Sequence, residues 1–294
     1  MSVVPSREYT WRIPLVQPGH GDVPARSDRT PPNRPGYSTP IHGGAPTQGT
    51  NGYAGRGPVA GTATRDEDEP MTASAIEAVA FDVNETMFTL DRLRPAFTDA
   101  GLDSNLVPLW FARLLRDGFA LAALGGYRRF ADVAAETLRG LNTMVNDEAV
   151  TNVVAAMREL DPHPDVEPAL RALHDAGIPA VTLTNGSAEV VQTLLERVGL
   201  SGYLTANLSV DAVRRWKPAT EPYRYAATEL AVNPGSLVLV AAHPWDCAGA
   251  TAAGLRAAWV NRSGQHWPVI FPEAEFSAPD LAALVNTLLA TPTR

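Results

Sequence analysis

Between Val166 and Val260 short apolar runs alternate with amphipathic stretches, and this alternation limits the fold more than any other feature of the chain. Val166 to Ala176 carries Leu170 and Leu173 on one helical face and stops at Gly177. Ile178 to Leu183 reads as a strand, with Pro179 near its start, where a missing N–H is tolerated. A helix over Ala188 to Val198, a strand over Tyr203 to Leu208 and a helix over Thr220 to Leu230 follow. A strand over Ser236 to Ala241, a helix over Ala248 to Ala253 and a strand over Ala257 to Val260 complete the series. Strands that alternate with helices predict an α/β fold built on a doubly wound parallel sheet.

An earlier apolar run, Ile76 to Asp82, reads as a first buried strand that ends abruptly in a carboxylate. In open α/β sheets the ligand crevice lies beyond the carboxyl ends of the strands, so Asp82 stands where a nucleophile is useful. On this stretch alone, an Asp that caps the following helix is the competing reading. After Thr86 the pattern turns helical over Leu106 to Leu124, Tyr127 to Leu141 and Asp147 to Leu160. The last begins with Asp147-Glu148, which suits a helix N-terminus. This predicts a helical cap over 89–161, inserted into a core made of 73–88 and 162–294.

Residues 1–72 differ in composition. Pro and Gly supply 20 of the first 65 residues, at or just above the roughly 25–30% of low-complexity segments. Such a stretch cannot bury enough apolar surface to offset the entropy of ordering, so a disordered tail is predicted. Met71, after the charged run Arg65 to Glu69, is the expected start of the compact part.

A net charge of −8 points away from nucleic-acid binding. No apolar run reaches the roughly 18 residues of a membrane span. The single cysteine, Cys247, fits a reducing, cytoplasmic setting.

Three strands end in polar groups: Asp82, Thr184-Asn185, and the segment from His243 to Asp246. Lys217 lies in a loop between sheet elements. In a parallel sheet these groups gather along one edge, and such a constellation is hard to assign to stability. Individually, Thr184 and Asn185 could simply cap the next helix, Tyr223 reads equally as a packed helix residue, and Lys217 alone is more often a solvated surface lysine.

Taken in order, Phe81-Asp82-Val83-Asn84-Glu85-Thr86, Leu183-Thr184-Asn185-Gly186-Ser187, Trp216-Lys217-Pro218 with Tyr223, and Pro244-Trp245-Asp246 with Gly249 resemble the haloacid dehalogenase superfamily. Within it the chain resembles the type II L-2-haloacid dehalogenases, from Ile76 to about Arg262. The resemblance implies a small haloacid substrate, no cofactor and no metal. It also implies a homodimer, which the residues do not show independently. Asp82 would attack the carbon bearing the halogen, and water would hydrolyse the resulting ester. Lys217 would keep Asp82 ionised, and Asp246 would fix Lys217 and help activate water. Thr184 and the amides around Asn185 would bind the substrate carboxylate or halide, and Tyr223 would stand beside the site.

The superfamily consists mostly of phosphatases, which generally carry a second Asp two residues after the nucleophile to protonate the leaving oxygen. Here that position is Asn84, whose amide cannot donate a proton of matched pKa. A departing halide needs no proton. A Mg²⁺-dependent phosphatase or related hydrolase remains the alternative. The subfamily usually has Ser and Asn before the last aspartate, where this chain has Ala241 and His243. His243 is either a base for ester hydrolysis or a replacement for the amide in a hydrogen-bond network. The family also carries a halide-binding arginine in the cap. The candidates are Arg113 and Arg116, which share a helix face and read equally as surface charges. Trp110, Phe111, Phe119 and Tyr127 read equally as pocket wall and cap core.

Overall fold

The apolar run after Glu77 forms β1 (Ala78–Phe81), and its side chains alternate between two buried faces. Val79 and Phe81 enter one hydrophobic cluster and Ala78 and Ala80 another, so the sheet must be covered on both sides. The computed structural model describes residues 75–291, and the tail expected over 1–72 and the start expected at Met71 lie outside them.

Four helices follow β1: α1 (Leu93–Asp99), α2 (Val107–Ala123), α3 (Phe130–Leu141) and α4 (Asp147–Ala156). Next come α5 (Val166–Asp175), β2 (Ala180–Thr184), α6 (Ala188–Arg197) and β3 (Ala206–Ser209). The chain continues through α7 (Thr220–Glu229), β4 (Leu237–Ala241), α8 (Pro244–Ala252) and β5 (Arg256–Val260), and closes with β6 (Phe276–Ala278) and α9 (Leu281–Ala290).

The six strands lie in the order β3-β2-β1-β4-β5-β6, and every pairing is parallel. Val79 stands opposite Ala180 of β2, and Ala78 opposite Leu237 of β4. The chain runs outward from β1 through β2 to β3 and then returns to the other side of β1. That reversal is the topological switch point, where such sheets hold their ligands. Buried residues of α5, α6 and α9 cover one face, and those of α7 and α8 the other. The doubly wound sheet expected from the alternation is the sheet observed.

The inserted helices share the larger cluster through Phe97, Trp110, Leu114, Val133, Leu138 and Val153. Where the insert leaves and rejoins the chain, Phe88 bridges Pro162 and the Thr89 amide donates to Asp161 O at 2.9 Å. α2 rests closely on Trp216: a Cβ at Gly118 would lie 2.3 Å from its ring. Phe130 of α3 stacks on the same indole at 5.8 Å. The insert therefore docks directly on the residue that precedes Lys217.

Several boundaries differ from the sequence reading. α8 begins at Pro244 and not at Ala248, because proline lacks only an N–H that the first helical turn leaves unpaired anyway. β3 begins at Ala206, since 201–203 forms a 3₁₀ turn. β1 stops at Phe81. β6 and α9 extend the alternation beyond the predicted series. No helix among the described residues is long and apolar enough to cross a membrane.

Candidate active site

Asp82 is the residue after β1, and its amide donates to Val240 O at 2.9 Å, so its side chain emerges at the switch point between β1 and β4. The carboxylate is almost completely buried and fully engaged. Lys217 Nζ donates to Oδ1 at 2.9 Å, and the Thr86 hydroxyl donates to Oδ2 at 2.7 Å. Thr86 is itself held, because its oxygen accepts the Ala242 amide at 2.9 Å. His243 Nδ1 lies 3.3 Å from Oδ2.

Lys217 is 0% exposed, which demands that its charge and all three of its donors be matched. The remaining two donors go to Asp246 Oδ2 at 2.6 Å and to Leu183 O at 2.8 Å. Asp246 enters from the first turn of α8, and its Oδ1 accepts the Tyr223 hydroxyl at 2.6 Å. Asn185 binds the Lys217 backbone: its Oδ1 accepts the lysine amide at 2.8 Å. Thr184 Oγ1 accepts the Gly186 amide at 2.9 Å and orders the turn before α6.

The electrostatics follow from this packing. Burial alone would raise the Asp82 carboxyl, but the Lys217 charge and the His243 hydrogen bond outweigh it and hold the group well below the usual range. Burial opposes the Lys217 charge, and Asp246 and Asp82 more than restore it. Burial pushes the Asp246 carboxyl up against the pull of Lys217. Burial and then Asp246 push the Tyr223 hydroxyl far above its normal value, so it serves as a donor.

His243 precedes α8, and Glu85 Oε2 lies 2.9 Å from its Nε2. Burial disfavours charge on the ring, but hydrogen bonds to Asp82 and Glu85 raise its pKa to about 9. Near neutral pH it is an imidazolium between two carboxylates. Trp245 stacks on the ring at 5.2 Å, and Phe111 of α2 stands 6.3 Å away. Glu85 has a φ of 61°, a left-handed conformation that costs a non-glycine residue about 1–2 kcal/mol. Unfavourable backbone of this kind concentrates at functional sites.

The structure thus brings Asp82, Lys217, Asp246, Tyr223 and His243 into one connected group, with Asn185 and Thr184 along its edge. It does not bring Arg113 or Trp110 there. Phe111 is the residue of α2 that meets His243, and Arg113 lies two residues on, roughly 200° around the helix. Arg113 lines neither cavity beside Asp82. Trp110 is 0% exposed, lies edge-on to Phe97 and donates from Nε1 to Ala134 O at 3.1 Å, so it is core of the insert and not pocket wall. Sequence reasoning missed Glu85 and Thr86 as members of the site, whereas Phe111, left open there between pocket wall and cap core, is the one that meets His243. Thr86 carried a usable signal, since it is the last residue of the Asp82 motif. Glu85 carried none, because its partner lies 158 residues away.

Gly249 lies under this group. A Cβ there would stand 2.5 Å from the Tyr223 hydroxyl and 2.7 Å from Pro218 Cβ. Gly249→Ala is expected to cost about 1–3 kcal/mol through overpacking, read as a lower urea midpoint, and to weaken catalysis by displacing the Tyr223–Asp246 pair.

The profile of the haloacid dehalogenase-like hydrolase family matches residues 76–254. Haloacetate dehalogenase H-2 of Moraxella sp. (strain B) is 27% identical over 221 residues, which cover 72% of this chain and 98% of the relative. (S)-2-haloacid dehalogenase H-109 of Pseudomonas putida is 27% identical over 220 residues, covering 73% of this chain and 98% of the relative. A solved structure of the L-2-haloacid dehalogenase from Xanthobacter autotrophicus, with chloropropionic acid covalently bound, is similar with a TM-score of 0.69 at 25% identity. It covers 74% of this chain and 100% of that one.

Proposed function

The chain belongs to the haloacid dehalogenase-like hydrolases, and we propose that it dehalogenates a short 2-haloacid of haloacetate or 2-halopropionate type by hydrolysis. The observation that carries this reading is an ionised carboxylate, Asp82, clamped by Lys217 and followed two residues later by Asn84. An oxygen of Asp82 attacks the carbon bearing the halogen, and halide leaves with the bonding pair without needing a proton. The product is an ester on Asp82. Its formation removes one of the two negative charges facing His243, so the ring releases a proton to solvent more readily. The neutral imidazole, oriented by Glu85, then takes a proton from water as the water oxygen bonds to Cγ of Asp82. The bond from Cγ to the ester oxygen, the one that Asp82 supplied, breaks; that oxygen takes the proton and leaves in the 2-hydroxy acid, and the new Asp82 carboxyl gives its own proton back to His243.

A metal-assisted phosphatase fits these residues poorly. Both oxygens of Asp246 are engaged, by Lys217 and by Tyr223, and the lysine ammonium stands between the two carboxylates that a dication would bridge. The composition, with one cysteine, supports a cytoplasmic setting for the enzyme. Halide release from 2-chloropropionate and haloacetates in the presence of EDTA is the expected activity. Turnover of p-nitrophenyl phosphate that appears only with Mg²⁺, and no halide release, would overturn the proposal.

A further inference from the structure

We propose that a cavity behind His243 stores and delivers the water that hydrolyses the Asp82 ester, separately from the cleft that admits the acid. This rests on the dehalogenase reading and adds a division of labour between two cavities.

The loop after β1 contributes residues to two cavities. On one side is a cleft of about 570 Å³, with Val83, Asn84, Phe130, Met157, Thr184 and Val190 among its walls. On the other is a cavity of about 350 Å³, walled in part by Glu85, Arg94, His163, His243, Asn261 and Arg262. The two share no residue: Val83 and Asn84 face one, Glu85 the other. Asp82, 6% exposed, lines neither, but Val83 and Asn84 follow it into the wall of the first and its neighbour His243 stands in the wall of the second.

Their walls suit different contents. The first mixes apolar side chains with the Thr184 turn, as a short acid with an alkyl group requires. The second sets Glu85, His163, His243 and Asn261 beside the apolar Val107 and Trp259, and polar groups of this kind hold water. At roughly 30 Å³ for each water, there is room for on the order of ten.

One atom gives a specific reason for water to be held there. His163 Nε2 is buried and has no partner among the described residues. Burial, and after it the Arg262 charge, lowers the His163 pKa, so near neutral pH the ring is neutral and one of its nitrogens is an acceptor. A buried polar atom of this sort normally binds protein or an ordered water.

The supply route follows from position. Once the acid is esterified to Asp82, its alkyl group occupies the first cleft and obstructs water from that side. His243 and Glu85 both line the second cavity, so a water arriving there meets the base already oriented. His243 Nδ1, 3.3 Å from Asp82 Oδ2, is then close to the carbon that the water must reach.

The test uses the full chain and 2-chloropropionate in a rapid-quench experiment that follows halide and 2-hydroxypropionate separately. Thr89 and Ser263 also line the second cavity, so Ser263→Phe and Thr89→Phe add bulk there from two sides, and His163→Phe removes the unpaired acceptor. Ser263→Ala controls for the loss of the hydroxyl and should behave as wild type. The expected result is a halide burst at the wild-type rate, followed by hydroxy-acid formation slowed about tenfold or more, with the Asp82 ester accumulating. Two results would overturn the proposal: hydroxy acid keeping pace with halide in all three variants, or the halide burst slowing in the same proportion. If the wild type releases no halide from any 2-haloacid, the dehalogenase reading fails and this proposal fails with it.

Discussion

Replacing Lys217 with Met abolishes halide release and destabilises the fold by about 3–5 kcal/mol, the usual consequence of leaving a buried charge without its partner. The lysine is 0% exposed, and its ammonium joins Asp82, Asp246 and the Leu183 carbonyl. Without it two buried carboxylates face each other. Their pKa values then rise above those of the unfolded chain, so the folded state binds more protons and its stability falls as pH rises. The deficit is therefore larger at pH 8 than at pH 5, read from urea midpoints at the two values. Lys217→Arg gives no rescue, because a flat fork cannot replace a compact ammonium at the centre of three acceptors. Full halide release by either variant would contradict the role given to Lys217.

His243→Ala separates the two half-reactions. Asp82 retains Lys217 and Thr86, so the first halide is still released once per site. Breakdown of the ester loses its base and slows by about 10²–10⁴-fold, and the ester accumulates on Asp82. In the wild type, breakdown rises with pH as His243 loses its proton. The midpoint falls below the value of about 9 for the free enzyme, because esterification removes the Asp82 charge that helps to hold the proton. The alanine variant lacks this rise. Glu85→Gln keeps the ring but orients it less well, so its loss is smaller. Unchanged turnover in His243→Ala would assign the imidazole a packing role only.

What the sequence revealed of this site depended on whether a signal was local. In a parallel sheet the ends of β1, β2 and β4 lie along one edge, so Asp82, Thr184-Asn185 and the segment from His243 to Asp246 could be placed together before any coordinates. Lys217 sits between sheet elements, and its company with Asp82 followed from the order of motifs. The geometry of the insert was harder to read. Arg113 and Arg116 share a face, but which face of α2 meets the core is set by Gly118 lying against Trp216, a contact between distant parts of the chain. That contact turns Phe111 toward His243 and Arg113 away. The Asn185 side-chain oxygen accepts the Lys217 amide, a structural partnership with the backbone that side-chain chemistry does not reveal. Glu85 looked like a loop charge, and only its left-handed backbone and the imidazole beside it mark it out.

The central claim is that Asp82 itself becomes the ester and is then regenerated by water. A single turnover of 2-chloropropionate in heavy-oxygen water tests it most directly, with enzyme in excess over substrate. The hydroxyl oxygen of the product then comes from Asp82 and the water oxygen stays on the enzyme. The account predicts unlabelled 2-hydroxypropionate, heavy oxygen in the peptide carrying Asp82, and neither halide nor labelled peptide from Asp82→Asn. Heavy oxygen in the product of that first turnover, with an unlabelled Asp82 peptide, would show that water attacks the substrate directly and would contradict the account.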